Sequence, residues 1–297
     1  MAIGYILYNK KAGNKESLES VKRLEEAAEG EVKYLDVTEI TNYRAFLSGL
    51  NEDDYIVIAG GDGTLNCFIN NVAGIDFNNE LYHYPNGTGN DFAHDLGYSK
   101  ECTPFKITEH LKNLPSVTVN GNKYHFINGV GYGIDGYCCE VGDELKKIPG
   151  KKINYASIAI NGLLFHYKPT NAKVTVDGKV STYKKVWIAP TMNGRFYGGG
   201  MMPTPGQKRN SGTVSTMIFH NSGKLKTLLI FPSLFKGEHL KYKNNTVILT
   251  GKNIKVEFDR PVALQIDGET ILNVSSYFVQ TPVPDTIIER STVSVAD

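Results

Sequence analysis

The stretch Tyr55-Ile56-Val57-Ile58-Ala59-Gly60-Gly61-Asp62-Gly63-Thr64-Leu65-Asn66 decides the fold. Its first five residues form a continuous apolar run, the pattern of a strand buried on both faces. Glycines follow, and then Leu65, Phe68, Ile69 and Val72 recur at helical spacing. A glycine turn between strand and helix lets the backbone approach a ligand closely and aims unpaired N–H groups and a positive dipole end at phosphate. Asp62 would repel that phosphate unless a cation lies between them, or unless it acts as a base or an Mg²⁺ anchor. A tight turn with a helix-capping Asp is the plainer alternative.

The neighbouring sequence has the same grammar. Ile3 to Tyr8 and Val32 to Val37 read as strands, with a helical pattern through Leu18, Val21, Leu24 and Ala28 between them. A second helix is expected around Tyr43 to Leu50, and a further strand at Leu81 to Tyr84. Strands alternating with helices imply βαβ crossovers and a parallel sheet, so the first part of the chain is expected to be a doubly wound α/β domain. Pro85-Asn86-Gly87-Thr88-Gly89-Asn90-Asp91-Phe92 also follows a strand and opens a helix. Two such loops at the carboxyl ends of parallel strands would flank one crevice, the usual ligand position in an open α/β sheet.

After Pro115 the pattern changes to short β-prone runs separated by Asp-Gly, Asn-Gly or Gly-Lys, among them Ser116 to Asn120, Gly212 to Phe219, Asn253 to Phe258 and Ala263 to Ile266. This spacing predicts an all-β sandwich, interrupted by one helical segment near Lys151 to His166. The domains expected are 1–116 for nucleotide, 117–276 for the acceptor, and 277–297 as a segment returning to the first. Gly131 to Gly136 fits G-x-G-x-x-G, but no acid follows about 20 residues later and the run lies in the β-rich half, so a dinucleotide fold is not supported. Asp135 is left as a carboxylate in a glycine-lined turn. Gln265-Ile266-Asp267-Gly268-Glu269 reads as a plain hairpin turn.

Composition excludes several classes. With 32 Lys and Arg against 31 Asp and Glu, the chain has no global field to hold nucleic acid. No stretch approaches the roughly 20 apolar residues that span a bilayer. The start has neither a basic nor a long apolar region, so no secretory signal is expected and the protein is expected in the cytoplasm. The 4 cysteines lack CxxC spacing and the 7 histidines lack HExxH, so neither a disulfide framework nor a zinc site is supported.

Together the motifs resemble the diacylglycerol kinase catalytic-domain family, bacterial lipid kinases that are also similar to sphingosine kinases. Asn9 to Gly13 resembles the first phosphate loop of the family, Gly60 to Asn66 its GGDGTLN loop, and Pro85 to Phe92 its PxGTxNDF loop. Gly131 to Asp135, Tyr197 to Met201 and Asp267 to Glu269 resemble its GxGxD, GGGM and DGE segments. GGDGT alone is weaker, because NAD kinases and phosphofructokinases carry a similar loop.

The resemblance implies ATP- and Mg²⁺-dependent phosphorylation of a lipid hydroxyl, diacylglycerol being the leading acceptor. The positions it marks for ATP are Asn9, Gly13, Thr38, Gly60, Gly61, Asp62, Gly63, Thr64, Leu65, Asn66, Thr88 and Asn90. Those for Mg²⁺ are Asp62 and Asp91, with Asp135 and Glu269 near the acceptor hydroxyl. Glu269 is the expected general base and Asp62 its rival. An NAD kinase-like enzyme on a soluble acceptor, or a nucleotide- or lipid-binding module without turnover, stays open, as does a homodimer.

Two departures stand out. Lys10 replaces the proline usual in the first loop, which adds a cation for phosphate. Ser211 stands where many members carry an acid for a structural Mg²⁺, and a neutral hydroxyl is a poor ligand for it. A peripheral membrane contact is expected, with Lys146, Lys147, Lys151 and Lys152 as a basic cluster toward anionic headgroups, unless they form a solvated charge run. Phe196, Tyr197, Met201 and Met202 could line an acyl entrance or simply pack in the core.

Overall fold

The structure, a computed structural model, describes residues 2–10, 21–22, 24, 30–87, 89–99, 102–148, 150 and 153–281. The chain divides into two compact units, the second beginning at Pro115. In the first, β1 (Ile3–Tyr8), β2 (Glu31–Asp36), β3 (Tyr55–Gly60), β4 (Glu80–Pro85) and β5 (Phe105–Lys106) form a sheet of order β2-β1-β3-β4-β5. The first four are parallel and β5 is antiparallel. The central β3 is buried along Ile56 to Ala59, as its apolar run predicts, whereas β2 at the edge alternates half-buried and exposed positions. α1 (Tyr43–Ser48), α2 (Asp62–Val72) and α3 (Asp91–Asp95) follow β2, β3 and β4. The expected helix around Leu18 to Ala28 falls largely outside the described residues.

In the second unit the order is β6 (Ser116–Val119), β7 (Asn122–His125), β8 (Gly129–Tyr132), α4 (Ile134–Lys146), α5 (Tyr155–Asn161), β9 (Thr170–Val176), β10 (Lys179–Val186), β11 (Thr191–Met192), β12 (Val214–Phe219), α6 (Lys224–Ile230), β13 (Thr246–Gly251), β14 (Asn253–Ile266) and β15 (Glu269–Gln280). The strands form an antiparallel sandwich-like array joined as one ten-stranded ladder. The long strand β14 makes the join: Ile254 to Phe258 pair with β9, and Leu264 to Ile266 pair with β8. Between them its register against β15 shifts, so the strand bends and serves both halves of the array, a corner of the kind that turns sandwiches. Trp187, Tyr132, Tyr277 and Phe126 fill the core.

Three expectations are corrected here. Asn253 to Phe258 and Ala263 to Ile266 are one strand rather than two. β15 runs on to Gln280, paired with β6 from Ser116, so residues 277–280 belong to this second sheet. Gly131 to Gly136 is no turn in an all-β region, because β8 feeds directly into the thirteen-residue helix α4. Ile134, Cys138, Val141 and Leu145 supply the helical spacing that buries α4 against the sheet.

Candidate active site

In the first unit the order of the sheet makes β1 and β3 the topological switch, since β1 passes to β2 on one side and β3 to β4 on the other. Parallel register aligns the carboxyl ends. Tyr8 lies beside Asp36 and Ala59, and Gly60 lies beside Pro85. The expected nucleotide residues Asn9, Thr38, Gly60 to Asn66 and Asn90 therefore leave one edge of one sheet. Gly13 and Thr88 lie outside the described residues.

The two glycine loops meet backbone to backbone. A Cβ on Gly87 would fall 2.2 Å from the Gly61 Cα, and one on Gly61 would fall 2.6 Å from the Gly89 carbonyl oxygen. The Asn86 amide donates to the Gly60 carbonyl at 3.1 Å, and the Asp62 amide to the Gly89 carbonyl at 3.2 Å. The Asn90 side chain closes its own turn onto both backbone groups of Gly87. Gly87→Ala is expected to force the loops apart, at a loss of about 1–3 kcal/mol from overpacking against rigid backbone. Thermal unfolding reads the loss, and calorimetric titration with ATP is expected to show weakened binding. Gly206→Ala, whose Cβ would meet nothing within 4 Å, is the neutral control.

Asp62 sits in the first turn of α2, buried. Its Oδ2 accepts from the Asp91 amide at 2.8 Å and its Oδ1 from the Phe92 amide at 3.1 Å. One carboxylate thus caps α3 and locks the second loop onto the first. Asp91 is buried beside it. A carboxylate offers about four lone-pair positions, so two amides leave Asp62 capacity for a further ligand. Mg²⁺ is held by one or two carboxylates together with substrate phosphates and waters. Asp62 has that capacity, and Asp91 is buried in the adjoining turn. Among the described residues there is no group of three or more His, Cys, Asp or Glu that could hold a metal alone.

Lys10, expected to add a cation for phosphate, is paired with two carboxylates. Its ammonium pairs with Asp36 at 3.3 Å and with Glu39, and the hydrogen bonds to these two carboxylates hold its pKa above the ordinary lysine value. Asp36 also accepts from the Thr38 amide and hydroxyl, both at 2.9 Å. The first loop is tied to the end of β2 in this way.

In the second unit Asp135 occupies the first turn of α4 and is buried. Tyr197 donates to its Oδ2 at 3.3 Å, while Oδ1 is buried with no hydrogen-bond partner. Burial pushes the Asp135 carboxyl up to about 6. Gly131 makes room for it, since a Cβ there would fall 1.7 Å from Oδ2. Tyr197 reaches it because Gly198, Gly199 and Gly200 all take positive φ, letting Tyr197 and Met201 exchange backbone hydrogen bonds across the turn. Phe196 and Tyr197 are buried and Met201 and Met202 half-buried.

Glu269 is exposed and opens β15, directly across from Ile266. The two residues between them have φ of +46° and +99°, a type I′ turn. The sequence reading missed Asp267 as an anchor. Its carboxylate takes the amides of Ile127, Asn128 and Gly129 at 2.6, 2.9 and 2.9 Å, pinning the hairpin tip to the start of β8. Nothing in an Asp-Gly pair distinguishes such an anchor from a surface turn. Asp135, Asp143 and Glu269 all act electrostatically on the Cys139 thiol, so all three carboxylates lie within reach of that residue of α4.

The loop expected to lack a structural Mg²⁺ is closed by an amide. Gln207 is buried, and its Nε2 donates to the carbonyls of Thr213 and Lys208 at 2.8 and 3.1 Å and to the Ser211 hydroxyl at 3.5 Å. Donor hydrogens pointing inward do not fit a cation. The basic cluster also reads differently, since Lys146 pairs with Asp143 and Lys147 with Glu144 at i,i+3 spacing, while Lys151 and Lys152 are outside the described residues.

Comparison with known proteins agrees with these motifs. Residues 4–120 match the diacylglycerol kinase catalytic domain family, and residues 128–287 match the YegS C-terminal NAD kinase beta sandwich-like domain. The diacylglycerol kinase of Bacillus subtilis (strain 168) is 29% identical over 230 residues, covering 75% of this chain and 73% of that protein. A crystal structure of a diacylglycerol kinase from Bacillus anthracis str. Sterne shares the fold, with a TM-score of 0.65 at 24% identity over 95% of this chain and 94% of that one. The chain belongs to the diacylglycerol kinase catalytic-domain family and is by class a lipid kinase.

Proposed function

We propose that this protein transfers the γ-phosphoryl group of ATP, with Mg²⁺, to the hydroxyl of a diacylglycerol-like lipid. The observation that carries the reading is the glycine-on-glycine junction between the Gly60–Asn66 and Pro85–Asn90 loops, locked by Asp62 at the carboxyl edge of the sheet. The positive dipole end of α2 and the glycine-built turn before it attract the phosphates and fix their direction. Asp62 and Asp91 would hold the Mg²⁺, whose charge offsets that developing on the transferred group. Asn9 and Thr38 lie along the same edge, where they orient the remainder of the nucleotide.

Glu269 takes the proton of the acceptor hydroxyl, being exposed at a rigid hairpin tip that Asp267 anchors. Asp135, with one buried oxygen unpartnered, positions the hydroxyl beside it. Asp62 is the weaker candidate for base, because its carboxylate already holds the amides of Asp91 and Phe92 and its remaining capacity would go to Mg²⁺. The named relative from Bacillus subtilis is called a diacylglycerol kinase, which favours that acceptor for this chain.

The test offers ATP labelled in the γ-phosphate, with and without Mg²⁺, to diacylglycerol, phosphatidylglycerol, sphingoid bases and NAD separately. Mass spectrometry of the labelled product identifies the acceptor. Mg²⁺-dependent labelling of diacylglycerol is the expected result. Labelling of NAD alone, or none with any acceptor, overturns the reading.

A further inference from the structure

The apolar side chains most exposed among the described residues do not lie near Asp135 in sequence, and three of them belong together. Leu225 and Leu229 are 72% and 80% exposed on α6, and Phe165 is 72% exposed in the turn of π-helix Gly162–His166. Leu225 and Leu229 stand at i,i+4 on one face of α6, opposite Thr227 and Ile230, which are buried. Lys224 reaches across to donate to the Leu164 carbonyl at 2.6 Å, which brings the backbone beside Phe165 against α6. Phe235, 45% exposed, lies in the 3₁₀ turn Phe231–Lys236 that follows the helix directly. Scattered apolar residues on a surface need no explanation, but a joined set does.

Charge decides what covers this face. Lys224 and Lys226 fall on opposite flanks of the Leu225–Leu229 stripe, and Lys236 follows Phe235. The segment from Gly178 to Gly237 contains nine Lys and Arg and no Asp or Glu, in a chain whose net charge is +1. Apolar side chains flanked by lysines suit the boundary of an anionic bilayer, where leucine and phenylalanine enter the acyl region and lysine stems reach back to the phosphates. Of the four lysines expected to do this from the sequence, Lys146 and Lys147 are paired with acids of their own helix, and Lys151 and Lys152 lie outside the described residues.

We infer that the outer face of α6, with Phe165 and Phe235, is a docking surface for an anionic phospholipid bilayer. The inference deepens the lipid-kinase reading by naming the surface through which the chain meets its acceptor's membrane. Binding is measured without ATP, so its outcome stands apart from turnover.

The test sediments the full chain with vesicles of phosphatidylcholine, with and without phosphatidylglycerol. The parent is expected to bind only the vesicles containing phosphatidylglycerol. Leu225→Ser with Leu229→Ser is expected to weaken binding by about tenfold or more, since two leucines no longer leave water. Lys226→Gln with Lys236→Gln is expected to weaken it several-fold, and added salt should mimic that change. All four side chains are exposed, so unfolding midpoints and turnover on detergent-dispersed acceptor are expected to match the parent. Equal binding by the leucine variant, or binding indifferent to phosphatidylglycerol, overturns the inference. So does conversion of a dimer to a monomer by the leucine variant with vesicle binding intact, which would make this face a contact between two copies. Vesicle binding without any lipid phosphorylation would leave this surface standing and remove the proposed function instead.

Discussion

Turnover is expected to fall by about 10²–10⁴-fold in Glu269→Gln, the range that a positioned proton acceptor contributes. The substitution keeps the shape of the side chain and removes its basicity. Because Glu269 is exposed at the hairpin tip, and Asp267 rather than Glu269 ties that tip to β8, stability is expected to stay within about 0.5 kcal/mol. ATP affinity is expected to be unaltered, since the phosphate loops lie in the other unit. The measurement pairs single-turnover transfer of labelled phosphate with calorimetric ATP titration. A variant that transfers phosphate at the parental rate would move the base to another residue, for which Asp135 is the buried carboxyl with an unpartnered oxygen. A variant that loses ATP binding as well would show that the substitution disturbed more than the proton acceptor.

The contrast between Glu269 and its neighbours also explains which parts of this molecule are readable without coordinates. β3 is legible because a parallel strand covered on both faces leaves an uninterrupted apolar run, and the glycines after it have few other uses. The second loop is legible from its own glycines after β4, a strand that alternates buried and half-buried positions, and the junction of Gly61 with Gly87 follows once β3 and β4 are neighbours. α4 is hidden because Gly131, Gly133, Gly136 and Gly142 look like breakers. Gly136 and Gly142 are instead tolerated inside the helix, where added Cβ atoms would strike the Ala263 carbonyl and the Tyr155 ring. Asp259-Arg260-Pro261 looks like the end of a strand and is instead the bend of β14. The cation expected at Lys10 is claimed by carboxylates 26 and 29 residues away, a long-range pairing that no local pattern announces. Asp267 and Tyr197 act through partners farther still in sequence, 140 and 62 residues away.

Asp135→Asn is expected to separate stability from activity, and the pH profile carries the proof. The Asp135 carboxyl is raised from 3.8 to about 6 because burial penalises its charged form. A raised carboxyl pKa means that the folded chain holds this proton more tightly than the unfolded chain does. The resulting contribution to stability is fully present below about pH 4 and is lost as the pH climbs through 6. A shift of about two units corresponds to about 3 kcal/mol of stability lost by neutral pH. Asparagine carries no titrating proton, so it does not lose this contribution. Its NH₂ group would meet the position where Oδ1 has no partner, at a constant penalty of about 1–3 kcal/mol. The absolute stability of the variant at one pH therefore mixes two opposed effects. The difference between variant and parent across pH does not, and it is expected to shift by about 3 kcal/mol in favour of the variant between pH 4 and pH 8. Denaturant unfolding at a series of pH values reads that difference directly. Above about pH 6, where the parent carboxyl is charged, the variant is expected to phosphorylate its acceptor at least about 10²-fold more slowly, because the hydroxyl loses the charged group that positions it, and the gap is expected to narrow at lower pH. A flat difference profile would mean that Asp135 is not desolvated in the folded chain. Full activity with a rising profile would mean that the buried charge serves something other than the acceptor. Retention of a destabilising carboxylate makes physical sense only where its charge is used, and the gain on removing it measures how strongly the fold is strained toward that use.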